Sequence, residues 1–334
     1  MSTRSICACV LIAVSVMTRN LLGGTTTPTP YIAPYHHDAS AAISYTFDDN
    51  LRDQFTVAFP LLQQFHIRAT FFVIPGKTAA TPAEAEAMKP GSWGSISWPE
   101  LRELAAAGHE IASHTFTHPG LHKLPPDKAE DEIRKAYDLI KTQMGTPPLT
   151  LAYPYNAFNP QVREIALKYH LATRDFCDGF GSRTTLEKLN AWSDKLVRQR
   201  KWGVAMIHAL RDGFDPLNPA IFKAHLQHVT ADPELFWIDT FANVSRYVQE
   251  RDHATLEVKT TATGAECLLT STLDPQKFDI PLTIVIPAAN VQDAAASRDG
   301  KSLPARLEKG QLLLDAIPST QPIIISWSAP TPTN

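Results

Sequence analysis

From residue 42 onward the hydrophobic positions fall into two alternating periods. Short apolar runs bounded by turn residues occur at 42–47, 70–74, 110–113, 149–153, 204–207 and 236–238. Their length and their β-branched or aromatic content predict buried strands. Between them, apolar residues recur three or four apart. Phe55, Phe59, Leu62 and Phe65 form one such stripe, with Pro60 marking a helix start or a kink. Ser97 and Glu100 have the spacing of a capping box ahead of 101–107, and Gly108 closes that helix. Asp127 is expected to cap a long helix with Ile133, Tyr137, Ile140 and Met144 on one face, ended by Gly145 and Pro147. Asn159-Pro160 and Asn218-Pro219 open two more, and Phe241, Val244, Tyr247 and Val248 line a last one. Repeated strand-then-helix units predict a parallel α/β barrel or a doubly wound sheet.

After about residue 253 the helical spacing stops. Segments 255–260, 267–270, 282–286, 311–315 and 323–327 read as strands punctuated by Gly, Asp, Pro and Asn. They predict a small all-β module over 253–330, a partial sandwich. Phe278 and Trp327 are its only large rings, which favours a structural role over a glycan-stacking one. At the other end, Arg4, the apolar run 6–17 and polar Thr18-Arg19-Asn20 read as a signal peptide over 1–24, against the alternative of an uncleaved anchor. A secreted or periplasmic location follows from that leader. Residues 25–38, rich in Thr and Pro, read as an extended linker, and His36 and His37 are assigned to it rather than to a metal.

Composition adds exclusions. The 334 residues can hold one large domain and one small one. A net charge of −3 with no basic cluster argues against a nucleic-acid partner, and nothing favours a membrane surface beyond the alternative of an uncleaved N-terminal anchor. Cys7 and Cys9 fall in the leader. Cys177 and Cys267 lie in different expected domains and read as isolated buried thiols, not a disulfide framework. Oligomeric state is not legible.

Four segments concentrate the chemistry: Thr46-Phe47-Asp48-Asp49, His114-Thr115-Phe116-Thr117-His118, Tyr153-Pro154-Tyr155, and Val204-Ala205-Met206-Ile207 ending in His208. Two imidazoles four apart and one carboxylate of the adjacent pair make a set that leaves metal positions open, as hydrolytic metal sites require. The other carboxylate is then free to act as a base. Singly these segments have plain readings: a solvated Asp-Asp turn, two surface histidines one helical turn apart, a core histidine at a strand end.

Together, in this order, they resemble the polysaccharide deacetylase family, the NodB-homology or carbohydrate esterase family 4 group. The intervening Ala69-Thr70-Phe71-Phe72-Val73 and Leu104-Ala105-Ala106-Ala107-Gly108-His109-Glu110-Ile111 match as well, so the resemblance covers roughly residues 40 to 250. It implies a distorted (β/α)7 barrel over 39–252, ahead of the small C-terminal all-β module read from the strand pattern. It implies Asp48 as base, with Asp49, His114 and His118 as metal ligands. It also implies the backbone N–H of Tyr155 as oxyanion donor and His208 as acid. The donor set suits Zn²⁺, with Co²⁺ or Ni²⁺ also accommodated. The implied substrate is an acetylated glycan, N- or O-acetyl. Alternatives are a hydrolase of another non-peptide amide bond and a glycan-binding protein with a weakly active or inactive barrel.

Two departures stand out. Asn50 follows Asp49 where the family usually has Gly; Asn tolerates a left-handed backbone better than most residues. Ala152 stands where the family's third motif usually has the Arg that orients the base. Arg174 is the expected replacement from another strand end, with Asp175 supporting it, against the plain reading of a surface ion pair.

Overall fold

The computed structural model describes residues 29–289 and 291–328. The expected leader, Cys7, Cys9 and the start of the expected linker lie outside the described residues.

The strands in chain order are β1 (Tyr31–Ile32), β2 (Ala41–Asp48), β3 (Thr70–Val73), β4 (Glu110–Ser113), β5 (Thr150–Ala152), β6 (Ala172–Arg174), β7 (Asp178–Gly179), β8 (Trp202–Ile207) and β9 (Phe236–Ile238). Eight helices accompany them: α1 (Phe59–Gln64), α2 (Pro82–Ala87), α3 (Trp98–Ala106), α4 (Pro126–Met144), α5 (Pro160–Tyr169), α6 (Leu186–Gln199), α7 (Pro219–Thr230) and α8 (Phe241–His253). Strands β2 to β8 form one parallel sheet in the order β6-β5-β4-β3-β2-β8-β7, and β9 pairs with the start of β2. Only residues 175–177 separate the two ends of that row, a link that reaches at most about 14 Å. A flat row of seven strands would hold its edges about 29 Å apart. The sheet therefore curls into the expected distorted barrel. Central β2 is buried at every position, as a strand covered on both faces must be, its Ser44, Thr46 and Asp48 included.

The Ser97 capping box is present: Glu100 Oε2 accepts the Ser97 backbone N–H at 2.8 Å. Asp127 differs from expectation. It sits inside the first turn of α4, whose N-cap is Pro125, and Gly145 ends the helix at φ 79°. Helices α2 and α6 are unanticipated; α6 buries only Leu189, Ser193 and Leu196 of its fourteen residues, too narrow a stripe to stand out. Before α1 the chain forms a π-turn, Gln54–Ala58, in which the Phe59 N–H reaches Gln54 O. Pro60 in the next turn has no N–H to continue the ordinary ladder, so the kink falls here.

The C-terminal module adds β10 (Ala254–Thr261), β11 (Gly264–Ser271), β12 (Leu282–Pro287), β13 (Asp293–Arg298), β14 (Lys301–Leu303), β15 (Ala305–Glu308), β16 (Gln311–Ala316) and β17 (Ile323–Ser328). They make two antiparallel sheets, β1-β12-β16-β15 and β10-β11-β17-β13-β14. Strands β13 to β15 escape sequence reading because they are short and carry almost no β-branched or aromatic residues. Tyr247 of α8 is buried in the module's core, its hydroxyl donating to Ala33 O at 2.9 Å. Phe278 is buried too, consistent with a packing role.

The described part of the linker is not free chain. Tyr31 and Ile32 pair with Val285 and Ile284, and Ala33 and Tyr35 are buried. Backbone pairing to β12 makes this segment a sheet edge, which Thr/Pro content alone does not reveal. Cys267 is buried and Cys177 half-buried; neither is in a disulfide. Among the described residues no helix is long and apolar enough to cross a membrane.

Candidate active site

The C-terminal ends of the parallel strands gather the polar residues, where a barrel of this kind builds its site. β2 ends at Asp48, with Asp49 next at φ 75° and Asn50 at φ 42°. Asn50 does more than tolerate the turn. Its Oδ1 accepts the Ile74 N–H at 3.1 Å and its Nδ2 donates to Thr78 Oγ1 at 3.2 Å, tying the turn to the end of β3. Glycine has no side chain with which to do this.

β4 delivers His114 to the same rim, and left-handed residues at Thr115 and His118 fold the next turn back. The two histidines lie on a turn, not on a helix. Their Nε2 atoms are 3.2 Å apart, and they stand 3.6 Å (His114) and 3.4 Å (His118) from Asp49 Oδ1. Three donors at about 2.0–2.2 Å from one tetrahedral ion lie about 3.3–3.6 Å from each other, so this trio fits a divalent metal. Asp49 Oδ1 is buried with no hydrogen-bond partner. His114 Nδ1 lies 2.8 Å from Ala152 O, which makes Nδ1 the protonated nitrogen and leaves Nε2 a lone pair for a ligand. Burial lowers His114 to about 4; burial and the neighbouring His114 lower His118 to about 3, so both rings are neutral. Burial and the Asp48 charge push Asp49 up to about 7.

Asp48 is held differently. Arg174, at the end of β6 and fully buried, makes a bidentate contact: Nη1 to Oδ1 at 2.7 Å and Nη2 to Oδ2 at 2.6 Å. Nη1 also donates to Thr46 Oγ1 at 2.9 Å, and Nη2 to Asn156 Oδ1 at 3.2 Å. Burial alone would raise the Asp48 carboxyl, but the guanidinium overrides it and holds it down at about 2. Ala152 leaves the space, and Arg174 fills the place of the missing arginine from the neighbouring strand. The expected help from Asp175 is not found. Its carboxylate points outward to Arg163 Nε at 2.6 Å and Thr173 Oγ1 at 2.6 Å, because alternate residues of a strand face opposite sides.

Tyr155 (φ 62°) and Asn156 (φ 51°) are consecutive left-handed residues at the end of β5. Such strain persists where the surroundings over-determine it, commonly at functional sites. The Tyr155 ring is 66% exposed and packs 4.8 Å from the His118 ring, so it lines the cavity and does not fill a strand end. His208, just past β8, lines the same cavity, with Nε2 4.0 Å from Asp49 Oδ2 and its ring 5.2 Å from Phe214. Together these groups line a cavity of about 470 Å³, walled by Trp93, Tyr155, Met206 and Phe214.

Several residues of this region escape sequence reading. Trp93 and Phe214 sit in Gly-containing loops that meet where Gly91 and Gly213 back onto each other, each at positive φ; a Cβ on Gly91 would fall 2.7 Å from Gly213 Cα. A large ring beside such a glycine is a usable signal. Gln54 and Asp53 have none. Gln54 Nε2 donates to Asp48 O at 2.5 Å and to His208 O at 2.7 Å, bridging the ends of β2 and β8. Asp53 Oδ2 accepts the backbone N–H groups of Leu210, Arg211 and Asp212 at 2.6–3.0 Å. Gln54→Met keeps the length and removes the donor to the buried Asp48 carbonyl and the half-buried His208 carbonyl. We expect a loss of about 1–3 kcal/mol in stability and a fall in turnover at unchanged metal content. Denaturant melts and kcat on the same preparation check this, and an unaltered kcat would count against a positioning role.

Residues 37–173 match the family model described as polysaccharide deacetylase, a span that ends one residue short of Arg174. Over those residues the barrel matches the polysaccharide deacetylase family. A gellan lyase from Bacillus sp. is 24% identical over 91% of the chain, a match covering 13% of that protein. The peptidoglycan-N-acetylglucosamine deacetylase PgdA of Listeria monocytogenes is 30% identical over 36% of the chain and 23% of its own length. The chain thus spans less than a quarter of either relative. The match to the Bacillus protein is too long to lie within the barrel alone and takes in part of the C-terminal module. Among solved structures, a family 4 acetyl xylan esterase from Clostridium thermocellum aligns at TM-score 0.43 and 19% identity, covering 61% of this chain and 89% of that one.

Proposed function

We propose that the barrel is a zinc-dependent hydrolase that removes acetyl groups from an N- or O-acetylated carbohydrate. The observation that carries this reading is the contrast between two adjacent carboxylates. Asp48 is locked in an ion pair with Arg174, while Asp49 is turned to two neutral histidines with an unpaired oxygen. Such a division separates a proton acceptor from a metal ligand, which simple binding of a glycan does not need.

When bound by Asp49, His114 and His118, zinc supplies Lewis acidity towards the acetyl carbonyl and towards water. The chain's own residues do the rest. Asp48, ionised at every working pH, is oriented by Arg174 to take a proton from the attacking water. Its basicity is low, so it suits an acidified water and not a free one. The backbone N–H of Tyr155 is assigned to the developing oxyanion, a donor worth on the order of 10²-fold to 10³-fold in rate. His208 gives a proton to the departing nitrogen or oxygen as its bond to the acetyl carbon breaks, so that water and the acetylated sugar become acetate and the free amine or alcohol. The aromatic walls of the cavity suit the C–H faces of a sugar ring. Secretion belongs to the same proposal and rests on the Arg4 and 6–17 leader pattern.

The test is release of acetate from a panel of acetylated glycans by chelator-stripped, zinc-reconstituted protein, with no release from any member counting against the reading. His208→Ala is expected to lower turnover about 10²-fold to 10⁴-fold on an amide substrate and far less on an activated aryl acetate. Equal losses on both would make His208 structural.

A further inference from the structure

A second group of two imidazoles and a carboxylate lies away from the barrel mouth. His36 and His37 come from the segment ahead of β2, and Asp315 comes from β16 of the C-terminal module. One ligand atom from each lies within 4.8 Å of the other two, the same relation that brings Asp49, His114 and His118 together. His36 Nε2 stands 3.8 Å from Asp315 Oδ1, and His37 Nε2 stands 3.4 Å from Asp315 Oδ2. The two rings face different oxygens of the one carboxylate, at separations longer than the usual N–H···O bond of about 2.7–3.2 Å and comparable to the spacing of about 3.3–3.6 Å between ligands of one tetrahedral ion.

The groups are held where they are by the fold. The segment carrying the histidines is fixed by β1–β12 pairing and by the Ala33 N–H on Thr283 O at 2.8 Å. Thr283 then acts on both sides: its Oγ1 donates to Asp315 Oδ1 and accepts the His37 N–H at 2.9 Å. His37 and Asp38 are left-handed at φ 60° and 55°, a conformation that costs a non-glycine residue energy and turns the two rings to the same side. The rings stack at 3.9 Å, and His36 packs 5.6 Å from Trp237. His37 is 58% exposed, which leaves a path for entry and room for water as a fourth ligand.

We propose that His36, His37 and Asp315 form a second divalent-metal site, of the zinc class, that staples the entry segment of the barrel to the C-terminal module. It supplies one oxygen and two nitrogens, the borderline donor set that favours zinc over calcium or magnesium. Arg306 Nη1 lies 3.4 Å from Asp315 Oδ2 and is anchored to Glu308 by its Nε at 2.7 Å. That positive charge makes the site weaker than the buried one at the barrel mouth. The function is structural: an ion bound only by the folded chain stabilises it by linkage.

The experiment uses the full chain, stripped with chelator and titrated with Zn²⁺ against an indicator dye, with elemental analysis after desalting. Wild type is expected to take up two equivalents, one tight and one weak. His114→Ala should lose the tight equivalent and keep the weak one, whereas His37→Ala should lose the weak one, keep the tight one and retain acetate release. Zinc should raise the melting temperature of His114→Ala and leave that of the His114→Ala/His37→Ala double variant unchanged. His37 is exposed, so its replacement leaves the fold intact; Asp315→Asn should repeat its effect on zinc uptake. A single equivalent in wild type at near-millimolar free zinc would overturn the proposal, as would a weak equivalent that persists in both His36→Ala and His37→Ala. Failure of the deacetylase reading appears separately, as loss of acetate release or of the tight equivalent in wild type.

Discussion

Asp48→Asn is expected to abolish most turnover, by about 10²-fold to 10⁴-fold, with metal content unchanged. The amide has nearly the same shape as the carboxylate, but it cannot accept a proton from water. It also leaves the buried Arg174 guanidinium without its counter-charge, so some stability is lost as well. Asp49→Asn should do the reverse in kind, weakening metal retention because an amide oxygen is a poorer ligand than a carboxylate. Zinc content by elemental analysis, measured beside kcat for both variants, separates the two roles. If Asp48→Asn loses the metal and Asp49→Asn keeps it, the roles are exchanged.

The second large effect belongs to Arg174. Arg174→Ala removes both arms of the bidentate contact and leaves Asp48 buried with no partner for its charge. Breaking a buried pair in this way costs about 3–5 kcal/mol of stability, so a folded fraction must be verified before rates are compared. Arg174→Lys keeps the charge and gives the more telling measurement. A single ammonium cannot hold both carboxylate oxygens in plane, so turnover should recover only in part. In Arg174→Ala the strongest influence opposing burial is lost, and the Asp48 carboxyl rises. The acid limb of the kcat/KM profile should therefore move to higher pH, and metal content should not change. Full activity in Arg174→Ala, or an unmoved acid limb, would show that other groups orient the base.

Much of this site is legible in the amino-acid string because its chemistry is packed into short local segments. Asp48 and Asp49 are neighbours, His114 and His118 share one turn, and His208 closes an apolar run. The barrel is legible for a related reason: β2, β3, β4 and β8 are largely buried, so burial writes itself into them as short segments rich in apolar and β-branched residues. Elements with weak local preference are not legible. The Ala-rich β13 is a strand because β17 and β14 flank it, and the π-turn at 54–58 takes its shape from the kink ahead of Pro60 and from Gln54 reaching two strand ends.

The sequence by itself determined the donor types: which carboxylates, which imidazoles, and the absence of an arginine at Ala152. Only the tertiary structure decided which donors meet. Arg174 reaches Asp48 across 126 residues because β6 lies next to β5 in the sheet and its last side chain points inward. Asp175, one residue on, faces outward and pairs with Arg163. His36 and His37 look like linker residues in the string and become neighbours of Asp315 only through β1 pairing with β12, which in turn pairs with β16. Strand order and the inward or outward turn of each side chain are set by packing and hydrogen bonding between distant segments. No short window of residues contains them.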